Sequence, residues 1–100
     1  MSYFFHPLAE SEHLETVTYY ESKSTGLGVA YLNEFEQIIK HICKEPERNP
    51  IELTPNIRRK NMDKFPFTIY YQEYLKTIQV LAIAHNRRNP KYWLDRKVTT

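Results

Sequence analysis

The sequence predicts an α+β protein: a short strand, two helices, then two or three antiparallel strands forming a sheet against the helices. Three observations carry this prediction. Leu32, Phe35, Ile39 and Ile42 step by three, four and three, which places them on one helical stripe. Farther on the period changes to two, with Phe67, Ile69 and Tyr71 on one face of an extended segment and Thr68 and Tyr70 on the other. The only two glycines, Gly26 and Gly28, and the prolines Pro46, Pro50 and Pro55 punctuate the chain between these patterns.

Taken in order, Tyr3, Phe4 and Phe5 form a strand-like aromatic run. His6-Pro7 ends it, because proline cannot donate to a ladder and suits the first turn of a helix. Pro7 to about Ser22 reads as a helix, rich early in glutamates that favour the positive end of the helix dipole. Its apolar positions include Leu14, Val17 and Tyr20, at steps of three. The stretch KSTGLG breaks it, and the second helix follows with Asn33, Glu34, Glu36, Gln37 and Lys40 opposite its apolar stripe. So short a connection makes the two helices an antiparallel hairpin.

The prolines then mark a loop of about ten residues. A weaker strand signal spans Asn56 to Met62 and carries Arg58, Arg59 and Lys60. Gln72 to Lys76 reads as a polar turn after the Phe67–Tyr71 strand. In Ile78 to Ala84, strict alternation puts Ile78, Val80, Ala82 and Ala84 on one face and Leu81 and Ile83 on the other. Apolar residues on both faces predict a central strand covered from both sides. A short turn of helix closes the pattern at Tyr92 to Asp95.

One hundred residues suit one domain, 1–100, with one core. The hydrophobic share of 41% and the aromatic share of 14% belong to a folded chain. No apolar run approaches the ~20 residues of a membrane span, and the N-terminus has no signal-peptide pattern, so a soluble, cytoplasmic protein with no membrane partner is expected. Cys43 is the single cysteine, which excludes an intramolecular disulfide and reads as a small core residue. Charge is unevenly spread. Residues 1–45 hold seven acids against three basic residues, whereas residues 76–100 hold Asp95 alone against Lys76, Arg87, Arg88, Lys91, Arg96 and Lys97. Such a split suggests one face made for an anionic partner.

His6, His13, His41 and His85 are scattered, so no metal site is expected. Two glycines cannot build a phosphate-cradling loop, no Ser-His-Asp order stands out, and no cofactor is expected. What remains is IAHNRRNPKYW, Ile83 to Trp93. Extended backbone would point Ile83, His85 and Arg87 to one side and Arg88 to the other. Arginine offers planar, bidentate recognition of phosphate or carboxylate. Tyr92 and Trp93 either stack on a base or fill a protein pocket, or Trp93 folds back after Pro90 to cap the core. His85 either takes part in chemistry or satisfies backbone groups at the strand end.

Four blocks now combine: FHPLAESEHLETVTYYES, GLGVAYLNEFEQIIKHI with PERNP, IRRKNMDKFPFTIYYQ, and VLAIAHNRRNPKYW. Together they cover nearly the whole chain. In combination they resemble the RelE/ParE superfamily of type II toxin–antitoxin toxins, on the ParE-like side. The resemblance implies a β-α-α-β-β-β fold, with an antiparallel sheet packed against the helical hairpin. It implies a cognate antitoxin that wraps the toxin, in a heterotetramer or higher complex, as in plasmid-stabilisation modules. The target it implies is DNA gyrase for a ParE-like toxin, which needs no catalytic residues.

A RelE-like toxin would instead cleave mRNA on the ribosome. For that alternative the resemblance assigns catalytic roles to His85, Arg87 and Tyr92. Arg87 matches the arginine after the last long strand, and Tyr92 stands beside Trp93, where the late tyrosine falls. The lysine pair of the preceding strand has no clean match in Arg58, Arg59 and Lys60, and arginine is a poor general base because it stays protonated. A third reading is an inactive homologue that only binds its antitoxin. Contacts to a target or nucleic acid are expected from Arg58, Arg59, Lys60, Arg87, Arg88 and Trp93.

Overall fold

The computed structural model describes residues 1–97. Strand β1 (Tyr3–Phe5) leads into helices α1 (Pro7–Lys23) and α2 (Leu27–Lys44). Strands β2 (Ile51–Leu53), β3 (Ile57–Asn61), β4 (Phe67–Tyr74) and β5 (Thr77–His85) follow, with 3-10 turns at Pro46–Arg48 and Leu94–Arg96. The five strands form one sheet in the order β1-β5-β4-β3-β2. This is the α+β hairpin-on-sheet arrangement the sequence predicts, with two refinements. The proline-rich loop contains β2, and the sheet is mixed, because β1 pairs with β5 in parallel while the other pairs are antiparallel. Parallel neighbours need a long connection, and between β1 and β5 it runs through the helical hairpin and then strands β2, β3 and β4.

His6 starts α1 by accepting the Leu8 N–H on Nδ1 at 3.1 Å, and Pro7 occupies the first turn. The helix buries Ala9, His13 and Thr16. Leu14, expected inward, is 58% exposed. Val17 and Tyr20 do pack against the core, but the fully buried positions of the helix are small or polar, which a search for large apolar residues passes over. His13 sits against the rings of Phe35 and Phe5, 4.4 and 5.0 Å away, and shares a 3.0 Å hydrogen bond with the Tyr31 hydroxyl. Burial lowers the pKa of His13 below the ordinary histidine value.

The helical hairpin turns at Gly26, whose φ of 89° is cheap only for glycine. Glu21 of α1 caps α2: its two carboxylate oxygens accept the N–H groups of Gly26 and Gly28, each at 3.0 Å. At Gly28 a Cβ would stand 2.9 Å from the Val17 carbonyl oxygen, so this glycine lets the two helices approach. Tyr31, Phe35, Ile38, Ile39 and Ile42 of α2 fill the core beneath. Glu34 fastens the β3–β4 connection by accepting the N–H groups of Asp63 and Lys64.

The β4–β5 turn is shorter than the polar run Gln72–Lys76 suggests. Strand β4 continues to Tyr74, and only Leu75 and Lys76 turn, both left-handed, with φ of 50° and 62°. That is the backbone of a two-residue hairpin, built here without the glycine or asparagine that would announce it. Gln72 is therefore inside the sheet, opposite Gln79.

Alternation along β5 also differs from expectation. Tyr70 pairs with Ala82 but Tyr71 with Val80, so Leu81 is an extra residue, a β-bulge. The bulge shifts the pattern by one. Ile78, Val80 and Ile83 join the core under the helices, while Leu81, Ala82 and Ala84 join a second, smaller core on the opposite face. Trp93, 1% exposed, closes that second core against Tyr70, with ring centroids 4.7 Å apart. Among the described residues no helix is long and apolar enough to cross a membrane.

Two outcomes are expected. Gly28→Ala must push the helices apart and should cost about 1–3 kcal/mol, measured by urea denaturation. His13 binds a proton less readily folded than unfolded. Its contribution is therefore complete above the unfolded-state pKa near 6.5 and is lost as pH falls toward the lowered folded value, by at most about 1.4 kcal/mol per pH unit. Denaturation midpoints from pH 7.5 to 5 should fall in the native protein, and more shallowly in His13→Met.

Candidate functional site: a cationic cleft on the open face of the sheet

Strand β5 outruns its neighbour. The last contact on its outer edge is the His6 N–H donated to the Val80 carbonyl at 2.9 Å; beyond it no strand accompanies residues 81–85. An ion pair takes the missing strand's place. Glu12 of α1 accepts the Ile83 N–H on Oε1 at 3.1 Å, and Arg96 donates through Nη1 to the Leu81 carbonyl, also at 3.1 Å. The two side chains meet in a fork: Nη1 to Oε1 and Nη2 to Oε2, both 3.0 Å.

The same carboxylate gathers the C-terminal segment. Oε2 accepts the Tyr92 hydroxyl at 2.7 Å and Arg88 Nη1 at 3.4 Å. The Arg88 guanidinium lies 3.7 Å above the centre of the Tyr92 ring. Burial, the hydrogen bond to Glu12 and the charge of Glu12 all raise the pKa of Tyr92, against a smaller opposing pull from Arg88 and Arg96. For Arg96, burial alone would lower the pKa, but the hydrogen bonds and charge of Glu12 outweigh it and raise it. The Nε of Arg96 is buried without a hydrogen-bond partner among the described residues.

This clasp positions one wall of a cleft of about 270 Å³ on the sheet face opposite the helices. Arg59, Thr68, His85, Asn86, Arg88 and Lys91 line it, over Tyr70, Tyr92 and Trp93. Glu52 lies within it, 3.2 Å from Arg59 and 3.9 Å from Lys91. The Thr68 hydroxyl reaches Asn61 Oδ1 at 2.9 Å and Asn86 Oδ1 at 2.7 Å, giving its one proton to one at a time. At the end of β5 the chain turns instead of staying extended. His85 Nδ1 accepts the Arg87 N–H at 3.1 Å, and the Arg88 N–H reaches the His85 carbonyl at 2.9 Å. An accepting Nδ1 leaves the ring proton of neutral His85 on Nε2.

The cleft therefore brings together Arg59, His85, Arg88, Tyr92 and Trp93 of the residues singled out in the sequence. Arg87 is exposed and does not line it. Alternation along β3 separates the basic triplet. Arg58 donates to the carbonyls of Glu47 and Asn49 at 3.1 and 2.7 Å, and Lys60 lines a different groove beside α2. Glu12 and Glu52 went unrecognised in the sequence, and Lys91 and Arg96 entered it only as part of the basic tail. Glu12 stands 84 residues from Arg96, and no local spacing links them. The one available signal was the surplus of cations in the last quarter of the chain, which called for an acid from elsewhere. Among the described residues, no three His, Cys, Asp or Glu side chains group as a metal site would need. The groups at hand can hold an anion through guanidinium and ammonium hydrogen bonds.

No family model matches the chain, and neither does any curated protein. Among solved structures it is similar to a chain of the chromosomal ParDE TA system from P. aeruginosa, with a TM-score of 0.69 and 19% identity. The likeness covers 85% of this chain and 95% of that one, and it establishes the shared fold.

Removing one partner of the Glu12–Arg96 fork leaves a buried charge unanswered. Glu12→Gln, which strands Arg96, should cost about 3–5 kcal/mol in urea denaturation, and Arg96→Met, which leaves Glu12 its longer pair with Arg88, should cost less. The double variant should cost clearly less than the sum of the two, and strict additivity would show that the fork is not a coupled unit.

Proposed function

We propose that the chain is the toxin component of a type II toxin–antitoxin module that acts in the cytoplasm by inhibiting DNA gyrase. A cognate antitoxin holds it inactive in a heterotetramer or larger complex. The observation that carries this reading is the fold shared with a ParDE chain over most of both chains. The site's geometry supports a toxin that binds its target over one that cleaves RNA. The three residues a nuclease would use are not assembled for proton transfer. Arg87 stands outside the cleft, and Tyr92, though it lines the cleft beside His85, has its hydroxyl committed to Glu12 and its pKa raised. A binder needs only a surface, and the cationic cleft beside the exposed Arg87 and Arg88 is one.

Purified protein added to gyrase, plasmid and ATP should block supercoiling and trap cleaved DNA. Supercoiling that persists at a large molar excess of folded protein would end the gyrase reading, and mRNA cleavage on programmed ribosomes would then be the assay, with His85→Ala and Arg87→Ala as its first variants.

A further inference from the structure

The geometry points to the open-face cleft as a docking site for an acidic segment of a protein partner, whose carboxylate displaces Glu52 from Arg59 and Lys91. The inference rests on the binding-toxin reading and gives that surface its partner chemistry. Exposure orders the charges. The side chains of Arg59, Lys91 and Arg88 are 40%, 42% and 53% exposed, whereas Glu52 is 22% exposed. The cations form the mouth and the acid lies beneath them. Glu52 is thus an internal occupant: it holds two cations in place, and it does so with the same group an aspartate or glutamate side chain would bring. Its distances of 3.2 and 3.9 Å are those of partly exposed pairs, which exchange at little cost.

Two features separate a protein segment from nucleic acid. Bases would need open aromatic faces, and the two large aromatics of the C-terminal segment do not offer them: Trp93 is buried against Tyr70, and Arg88 lies over the Tyr92 ring. The cleft, at about 270 Å³, is also smaller than the ~300–1,000 Å³ usual for sites that enclose a drug-sized ligand, and it suits one or two side chains. The Arg88 guanidinium, stacked on Tyr92 and held by Glu12, presents its remaining donors to the incoming group.

Fluorescein-labelled octaglutamate, with dT8 and rU8 oligonucleotides for comparison, tests this by anisotropy on the whole protein at low salt. Octaglutamate should bind more tightly than either oligonucleotide. Arg59→Ala and Arg88→Ala should each weaken it about five-fold, while Lys40→Ala on α2 should leave it unchanged. Glu52→Gln should tighten it about three-fold, a gain that a merely structural Glu52 would not produce. Tighter binding of an oligonucleotide, no saturable peptide binding even in Glu52→Gln, or peptide binding indifferent to these substitutions would each overturn the inference. Gyrase inhibition that survives such a failure would leave the proposed function standing and remove only this docking site.

Discussion

The constraint on which most of this molecule depends is the length mismatch between β1 and β5. A strand edge in a protein interior cannot leave its N–H and C=O groups empty without a cost comparable to a lost hydrogen bond each. Here β1 ends at Phe5, while β5 runs on to His85. The Glu12–Arg96 fork supplies one acceptor and one donor to the uncovered edge, at Ile83 and Leu81. It replaces a stretch of strand with two side chains from opposite ends of the chain. Because one carboxylate accepts from Ile83, Arg88, Tyr92 and Arg96, it also sets where α1 lies on the sheet and where the C-terminal segment crosses it.

The bulge at Leu81 belongs to the same design. It interrupts the ladder with β4 at the residue whose carbonyl Arg96 takes, and it turns Leu81 and Ala82 toward the face away from the helices. Those residues, with Ala84 and Ile57, need cover, and Trp93 provides it. The sheet thus has two unequal covers: a helical hairpin on one face and a strap of C-terminal residues on the other. The strap is narrow, and the cleft lies between it and strands β2 and β3.

Charge follows this architecture. The acidic first half of the chain becomes the helical layer, apart from Glu12, which faces the basic tail and neutralises part of it. Of the tail's remaining cations, Arg88 and Lys91 line the cleft on the open face. An acid-rich helical side and a cation-rimmed cleft give the molecule a directional field, which favours oriented encounter with an anionic partner.

Much of this was legible in residue order. The α2 stripe, the period-two strands and the interior position of β5 are written locally, because helical and strand periodicity act over a few residues, whereas the sequence left open whether Trp93 folds back or faces a partner. The resemblance of four sequence blocks to the RelE/ParE superfamily pointed to the same fold that the similar ParDE chain shows. The inward face of α1 was legible only in part: Val17 and Tyr20 do pack on the core, but its buried positions are Ala9, His13 and Thr16 rather than large apolar residues. The two-residue turn, which lacks the usual turn residues, was not legible, nor was the bulge, which is a relation between two strands. The site divided along the same line. Residue order alone places a basic, aromatic segment in the last quarter of the chain, at the end of a central strand. Which cations of the chain share a cleft is set by folding, because strand alternation sends Arg58 and Lys60 to one face and Arg59 to the other, and because the acids that hold the rest, Glu12 and Glu52, arrive from distant elements.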